Sequence, residues 1–215
     1  MRTVAQTLPT LREQAERLID LGVHDIAGLP AELLREAASR AKSDDALLVV
    51  HPRLVPASAL TPLLHVNGKP GFVVTDMADV DDFTPISSVT LPGGPVYALH
   101  DLDRGDAMSN WSPDEALPAI TGAARTPLTL SEGLHWLLQR PETLQRGHCF
   151  MTIGSRRHRP AGSLDARTPA VWISNGTGRD GAARRDAPKV GWCWAGNRHT
   201  WLGFASAAGR FIVGG

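Results

Sequence analysis

Apolar positions near the start of the chain recur with helical spacing. In the stretch TLREQAERLIDLG, residues 10–22, one helical face carries Leu11, Ala15, Leu18 and Ile19. Thr10 and Glu13 have the spacing of a capping box, in which each side chain hydrogen-bonds the backbone N–H of the other residue. A second amphipathic segment, AELLREAASRAK, follows at 31–42. The sequence therefore predicts a helical hairpin within residues 1–44.

The following part of the chain carries short, continuous apolar runs instead. We expect buried strands at 46–50, 71–76 and 94–101, because apolar runs of this length are typical of strands covered on both faces. Polar, proline-containing crossovers join them, and the segment MADVDDF at 77–83 predicts a short helix. This order indicates a small mixed α/β sheet within residues 45–145.

Two helix starts close this part of the chain. Ser112 with Glu115, and Thr129 with Glu132, repeat the capping-box spacing, and each pair precedes an apolar run. Pro141 ends the second of these helices, because proline has no backbone N–H to continue the hydrogen-bond ladder.

After Arg146 the apolar period falls to about two, which is typical of strands with one covered face. The strand candidates are HCFMTI (148–153), PAVWIS (169–174), KVGWCWA (189–195), TWLGFAS (200–206) and GRFIV (209–213). Their short or polar connections predict a C-terminal antiparallel sheet, rich in tryptophan, over residues 146–215. The fold class is therefore α+β, with residues 1–215 forming a single domain that contains the three parts.

The charges balance overall but are unevenly spread. Net charge is zero, which gives no general attraction to nucleic acid or to an anionic membrane. Residues 71–115 contain nine acids and one base, whereas residues 140–189 contain ten bases and four acids. Two interpretations stay open. The two stretches are solvated faces of one domain, or the basic segments GSRRHRPAGS and GRDGAARRD bind an anion.

Location and redox state follow from what the sequence lacks. The N-terminal stretch MRTVAQTLPTLREQAERL has no apolar core of a secretory signal, and no apolar run approaches about eighteen residues, the length that a membrane span needs. We therefore expect a cytoplasmic protein that does not enter a membrane. In a reducing compartment, Cys149 and Cys193 are expected to be thiols rather than a disulfide.

Two histidines and two cysteines have the residue types of a zinc site: His148, Cys149, Cys193 and His199. Successive residues of a strand point to opposite faces, so His148 and Cys149 do not reach one ion from a regular strand. The same alternation separates them as a thiol nucleophile and its base. Cys149 instead shares a face with Met151, which predicts a buried cysteine. We assign no metal ligands, and no cofactor is identified.

The segment ALHDLDRGDAMSNW, residues 98–111, ends an apolar strand and then releases several polar side chains. In α/β sheets, ligand-binding groups collect at the carboxyl ends of strands. The candidate acid/base residues are His100, Asp101, Asp103 and Asp106, with Arg104 as a candidate anion anchor. Alternate acids also bind Mg²⁺ or Ca²⁺, although the glycine and glutamate of an EF-hand loop are absent. The alternative interpretation is a polar turn capped by aspartates.

The stretch GWCWAGNRHTW, residues 191–201, holds three of the six tryptophans. Its pattern predicts a hairpin in which GWCWA and TWLGFAS pair and GNRH forms the turn. Trp192 and Trp194 then share one face, and Asn197 and His199 form a polar rim at the turn. The tryptophan face either packs in the core or forms the wall of an apolar pocket.

These clusters combine into two competing functional hypotheses. In the first, a pocket between the tryptophan hairpin and the acidic strand end binds or transforms a small molecule, which is anionic if basic side chains take part. Ser155 and Arg156, after the strand HCFMTI, are further candidate ligand-binding residues. In the second, the basic loops 156–159 and 179–185 form a protein- or nucleic-acid-interaction module, with the neutral net charge disfavouring nucleic acid. Neither a reaction nor an oligomeric state follows from the sequence.

Several segments of the sequence together carry a family resemblance: LVVHPRLVP, KPGFVVTDM, HDLDRGD, NWSPDEALP, RTPLTLSEGL, and GWCWAGN followed by HTWLGFAS. They resemble a bacterial family of unknown function that is typical of high-GC Gram-positive genomes. The resemblance is closest from residue 46 onward and includes both the acidic and the tryptophan clusters, which implies one cohesive unit. The segments RHRPAGSLDA and NGTGRDGAARR fit it less well. The family brings no activity and no site residues.

Overall fold

Helices and short strands alternate along the chain. The structure, a computed structural model, describes residues 7–41, 45–160 and 162–213, so the predicted boundary at residue 44 and Ala161 of the first basic segment lie outside it. The helices are α1 (Leu11–Asp20), α2 (Val23–Ala27), α3 (Ala31–Arg40), α4 (Ala57–Leu60), α5 (Pro113–Gly122) and α6 (Leu130–Gln139). The strands are β1 (Ala46–Val50), β2 (His65–Val66), β3 (Lys69–Pro70), β4 (Phe72–Val73), β5 (Phe83–Pro85), β6 (Val96–His100), β7 (Thr126–Pro127), β8 (Cys149–Met151), β9 (Ser155–Arg157), β10 (Arg167–Ile173), β11 (Pro188–Trp194), β12 (Leu202–Phe204), β13 (Ser206–Ala207) and β14 (Gly209–Ile212).

The predicted helices form where the local signals place them. α1, α5 and α6 each begin with the complete capping box that the sequence predicts. α3 packs against α1, and the exposed Arg35 side chain donates to Glu16 at 2.8 Å. The short α2 between them is an addition that the sequence did not predict, because five residues are too few to show helical periodicity. The predicted helix at 77–83 is wrong: the structure has 3₁₀ turns at Thr75–Met77 and Val80–Asp82.

Two main sheets organise the fold, and each takes a strand from the other half of the chain. The first is antiparallel, in the order β1-β6-β14, and the second has the order β12-β8-β10-β11-β4. The fold is α+β, as predicted, with antiparallel β8, β10 and β11 at the centre of the second sheet. However, β14 was expected in the second sheet and β4 in the first. Apolar runs identify strands but carry little information on which partners the strands find.

The predicted hairpin in GWCWAGNRHTW is wrong. β11 pairs with β10 over its whole length, from Arg167↔Trp194 to Ile173↔Pro188, and β12 pairs in parallel with β8 at the far edge of the sheet. The segment between β11 and β12 therefore crosses the sheet instead of turning back. A seven-residue partner offers β11 more backbone hydrogen bonds than the three-residue β12 does.

A buried ion pair lies where α6 meets the first sheet. Every residue of α6 is buried, including Glu132, whose carboxylate accepts hydrogen bonds from Arg210 Nε at 2.6 Å and Arg210 Nη2 at 2.7 Å. The Tyr97 hydroxyl donates to the same carboxylate at 2.9 Å, and the Thr129 N–H donates at 2.7 Å. The network joins the start of α6 to β6 and β14, which come from distant parts of the chain.

His135 ties the middle of α6 to β1. Its Nδ1–H donates to the Ser131 carbonyl at 2.8 Å, and its Nε2 accepts the Val50 N–H at 3.2 Å. Burial lowers the pKa of His135 to about 4, so the ring is neutral in the folded protein at pH 7.

We expect the substitution Glu132→Gln to lower the free energy of unfolding by about 3–5 kcal/mol, because it leaves the buried Arg210 charge unpaired. Urea unfolding followed by circular dichroism measures this. The matched control is Glu16→Gln, which breaks the exposed pair with Arg35 and is expected to change stability little. Equal effects of the two substitutions would contradict the role given to the buried pair.

His135 also predicts acid sensitivity. The unfolded state binds a proton near pH 6.5 and the folded state only near pH 4, so the free energy of unfolding falls by about 2 kcal/mol between pH 7 and pH 5. The measurement is urea unfolding at both pH values. In His135→Gln this fall is expected to be clearly smaller, with the remainder coming from His51, whose pKa burial also lowers, and an unchanged pH dependence in that variant argues against the assignment.

Candidate functional site

The predicted acidic cluster lies at the end of β6, where several of its side chains have structural partners. The Asp101 carboxylate accepts from Arg125 Nη1 at 2.7 Å. Asp103 Oδ1 accepts the Gly105 N–H at 2.8 Å, which is the capped turn of the alternative interpretation. One contact is an ion pair and the other caps a turn, so both are structural.

The remaining members of that cluster are also engaged. Arg104 Nη1 lies 2.9 Å from Asp106 Oδ1, and the His100 ring packs 6.0 Å from that of Phe211. Arg104 Nε and Nη2 are buried without a hydrogen-bond partner among the described residues. The assignments of His100, Asp101, Asp103 and Asp106 as acid/base residues, and of Arg104 as an anion anchor, therefore stay predictions.

Ser155 and Arg156 are buried and bonded within the protein. Ser155 Oγ accepts the Leu130 N–H at 3.0 Å, at the start of α6. Arg156 Nε donates to the Asp165 carbonyl at 2.8 Å, and its Nη1 lies 3.8 Å from Asp114. Arg156 is thus held in place by these contacts and is only 9% exposed.

The acidic and basic stretches of the sequence pair with each other. Asp79 lies 2.6 Å from Arg167 Nη2 and 2.9 Å from Arg157 Nη1. The hydrogen bond from Arg167 holds the pKa of Asp79 below its usual range. Arg198 forms the same kind of contact with Glu115. Many of the charges that the sequence separates are therefore neutralised in the fold, including much of the first basic loop.

The tryptophan stretch keeps one predicted feature after losing its hairpin. The Trp192 and Trp194 rings share a face and meet edge to face, with centroids 4.5 Å apart. Trp194 is 47% exposed. The predicted rim residues lie in the connection to β12, where the Asn197 N–H donates to the Trp194 carbonyl at 3.0 Å and His199 stacks on Trp201 at 4.6 Å.

A cavity of about 320 Å³ lies at the β11 edge of the second sheet. We call it the tryptophan cavity. Its walls come from the segment after β4, from β10 and β11, and from the loop between them: Val74, Thr75, Asp76, Trp172, Thr177, Arg179, Asp180, Arg184, Lys189 and Trp192. The structure thus brings Trp192 together with the basic loop 179–185, rather than with residues 100–106.

The register explains how two tryptophans reach one cavity from opposite faces of the sheet. Trp172 pairs with Lys189, so these two side chains share a face, and Trp192 lies on the other face by alternation. β4 pairs with β11 only at Lys189 and Val190. Beyond Val190 the edge of β11 is uncovered by β4, and Val74 to Asp76, which follow β4, line the cavity together with Trp192.

Lys189 is fixed on the wall of the tryptophan cavity. Its Nζ lies 4.6 Å from the Trp172 ring centroid and donates to Asp180 Oδ2 at 2.7 Å. The Ser174 hydroxyl donates to the same oxygen at 2.7 Å. Burial opposes ionisation of Asp180, but the hydrogen bonds from Lys189 and Ser174 outweigh it and lower the pKa of the carboxyl. Asp180 is therefore charged and satisfied at pH 7.

Arg184 is the cation of this cavity that forms no salt bridge among the described residues, although its charge helps to lower the pKa of Asp180. Arg179 Nη1 lies 3.5 Å from Asp76, whereas the Arg184 guanidinium lies 4.4 Å from the centroid of the Phe72 ring. The lining contains three cations and two carboxylates. The cavity therefore carries one net positive charge beside two indole rings.

Trp172 is one of the lining residues that sequence reasoning missed. A Cβ atom at Gly191 would lie 2.5 Å from Trp172 Cη2, so the glycine leaves the space that the ring occupies. The signal was present in the sequence, because glycine within a strand often marks a close approach. What the sequence lacked was the register that sets Gly191 beside Trp172.

The cysteines behave as the alternation argument predicts. Cys149 is buried in one apolar cluster with Met151, and both Cys149 and Cys193 are free thiols. Burial raises the pKa of Cys149 to about 12 and also raises the pKa of Cys193. Within the described ranges, no group of three or more His, Cys, Asp or Glu side chains is placed to hold a metal ion.

Residues 17–213 match the sequence pattern of a family of unknown function, DUF5701. The chain belongs to this family. The match spans both the tryptophan cavity and the acidic cluster. Comparison with curated proteins and with solved structures gave no match. None of the helices in the described ranges has the length and apolar character needed to cross a membrane.

Thiol labelling tests whether Cys149 is reactive in the folded protein. Only the thiolate reacts, and burial raises the pKa of Cys149 to about 12. We therefore expect Cys149 to resist the thiol reagent dithiobis(nitrobenzoate) at pH 8 until the protein is unfolded. Labelling of Cys193→Ser isolates the signal of Cys149. Rapid labelling of the native variant would restore Cys149 as a candidate nucleophile.

Proposed function

We propose that the protein binds a small anionic molecule with a flat apolar part in the tryptophan cavity. The observation that carries the proposal is Arg184, which lines the same cavity as Trp172 and Trp192 and forms no salt bridge among the described residues. Recognition of this kind combines an apolar wall with a few placed polar groups.

The lining supplies a partner for each part of such a ligand. Arg184 presents a planar guanidinium, which suits the paired oxygens of a carboxylate or phosphate. The indole rings offer large apolar surfaces against which a flat group packs. A volume of about 320 Å³ is at the lower end of the range for ligand pockets, which favours a small ligand.

The predicted site residues outside the cavity fit this proposal unequally. Trp194 contacts Trp192 and extends the aromatic surface towards solvent, so we propose that it takes part in binding. Asn197 and His199 follow it in the crossing segment and are proposed to border the same surface. The cavity lining does not include His100 or the aspartates that follow it, so the proposal is one of binding and contains no reaction.

The competing interaction module has weaker support. Arg156 is buried, and Arg157 lies within 2.9 Å of Asp79 and 3.4 Å of Asp82, so two cations of the loop 156–159 already have partners. The loop 179–185 contributes Arg179 and Arg184 to the tryptophan cavity. The second basic loop therefore supports the small-molecule proposal at least as well as a macromolecular partner.

Titration with phenyl phosphate tests the proposal, with tryptophan fluorescence as the readout. We expect phenyl phosphate to bind more tightly than inorganic phosphate or phenol, because it satisfies both the cation and the rings. Arg184→Gln is expected to weaken binding by about ten- to a hundredfold, the loss of one charge-assisted contact worth roughly 1.5–3 kcal/mol. Arg185→Gln is the matched control, since Arg185 is the next residue in the chain and a cation, but does not line the cavity.

Two results would contradict this proposal. One is equal weakening by Arg184→Gln and Arg185→Gln, which indicates a diffuse electrostatic effect. The other is salt-sensitive retention on heparin that both substitutions abolish, together with no response to phenyl phosphate, which favours the interaction module.

A further inference from the structure

A second cavity, of about 480 Å³, lies at the N-terminus of α6. We call it the α6 cavity, and it shares no lining residue with the tryptophan cavity. We propose that it binds a small monocarboxylic acid with an apolar body, whose carboxylate meets the first turn of α6 at Ser131. The proposal is independent of the function proposed above.

Ser131 is the observation that points to a ligand. It lines the α6 cavity and is only 5% exposed, yet its Oγ has no hydrogen-bond partner among the described residues. A buried polar atom without a partner is uncommon in folded proteins, because burial removes its hydrogen bonds to water. A bound acceptor group would satisfy this hydroxyl.

The position of Ser131 in the first turn of α6 explains why its hydroxyl lacks the usual helical acceptor. A serine within a helix often donates to the carbonyl four residues earlier. Four residues before Ser131 is Pro127, which belongs to β7 and precedes the helix, and its carbonyl accepts from Arg210 Nη2 at 2.9 Å.

In the first turn of α6, the backbone N–H groups on both sides of Ser131 are bonded within the protein. The Leu130 N–H donates to Ser155 Oγ at 3.0 Å, and the Glu132 N–H donates to Thr129 Oγ1 at 3.3 Å. No hydrogen bond from the Ser131 N–H occurs among the described residues. Free N–H groups at a helix N-terminus favour an anion, because the helix dipole is positive there.

The carboxylates near this turn are already satisfied. Glu132 is paired with Arg210, so its charge is balanced inside the protein. Asp81, which lines the α6 cavity, accepts from the Ser58 N–H at 2.9 Å and from the Ser58 hydroxyl at 2.6 Å. Neither carboxylate needs a cation from a ligand.

Two further donors face the cavity from the segment after β1. His51 Nδ1 accepts the Arg53 N–H at 3.1 Å, so the ring proton of neutral His51 is on Nε2. Burial, and then the nearby Arg53 charge, lower the pKa of His51 and keep the ring neutral at pH 7. Arg53 itself lines the cavity with an exposed cation. Both residues suit a carboxylate better than a cation.

Most of the remaining lining is apolar, which determines the body of the ligand. Val80, Phe83 and Val89 are buried wall residues, and Leu91 and several prolines complete the surface. A fully hydrated ion such as free phosphate gains nothing from these walls. An acid with an alkyl or phenyl body gains burial of its apolar surface as well as the contact at Ser131.

Calorimetric titration with 4-phenylbutanoate and 4-phenylbutanamide tests the proposal, since the two probes differ only in charge and donor character. We expect the acid to bind at least tenfold more tightly than the amide. Ser131→Ala is expected to weaken the acid about tenfold without lowering the urea midpoint, because the hydroxyl has no partner to lose. Ser39→Ala, an exposed helical serine, is the control and is expected to change neither quantity.

Location is tested separately. Leu91→Trp, which places an indole in the apolar wall, is expected to abolish binding of both probes, whereas Arg184→Gln in the tryptophan cavity is expected to leave it unchanged. The proposal is overturned if acid and amide bind equally or not at all, or if Ser131→Ala keeps full affinity. A large drop in the urea midpoint of Ser131→Ala would also overturn it, since the hydroxyl would then have an internal role.

Discussion

The buried contact between Glu132 and Arg210 positions much of the molecule. Two charges removed from water are tolerated only if their geometry is kept and their remaining polar atoms are satisfied. Tyr97 and the Thr129 N–H complete the carboxylate, while the Pro127 carbonyl completes the guanidinium. The first turn of α6 is therefore fixed against both β6 and β14. The hydroxyl of the neighbouring Ser131, at the wall of the α6 cavity, has no hydrogen-bond partner in the part of the chain that the structure describes.

Charged side chains nearer the surface also form pairs between distant parts of the chain. The acidic stretch 71–115 and the basic stretch 140–189 lie far apart in sequence, yet they meet through pairs such as Asp79 with Arg167. This pairing accounts for the neutral total better than two separate solvated faces do. It also identifies the cations of interest, because a binding site needs charge that the protein has not already balanced. Arg184 meets that condition, whereas Arg156 does not.

Local signals in the sequence were good predictors, and pairing was not. The capping boxes at Thr10, Ser112 and Thr129 depend on residues three apart, and each forms as expected. The exchange of β4 and β14 between the sheets depends on contacts between distant segments, which apolar periodicity does not encode. The same limit applies to the site. Trp192 and the loop 179–185 were identified separately, but their meeting with Trp172 follows from the β10–β11 register.

The late position of β14 has a consequence for how the chain acquires its structure. β1 and β6 are synthesised early, but the third strand of their sheet and the cation for Glu132 both arrive at residues 209–212. Until then one edge of β6 has open hydrogen-bonding groups, and the carboxylate at α6 lacks its counter-ion. A nascent chain would thus hold an incomplete sheet until residues 209–212 have been made, a state prone to association with other strands. The first sheet and the buried ion pair are therefore completed by the same short segment.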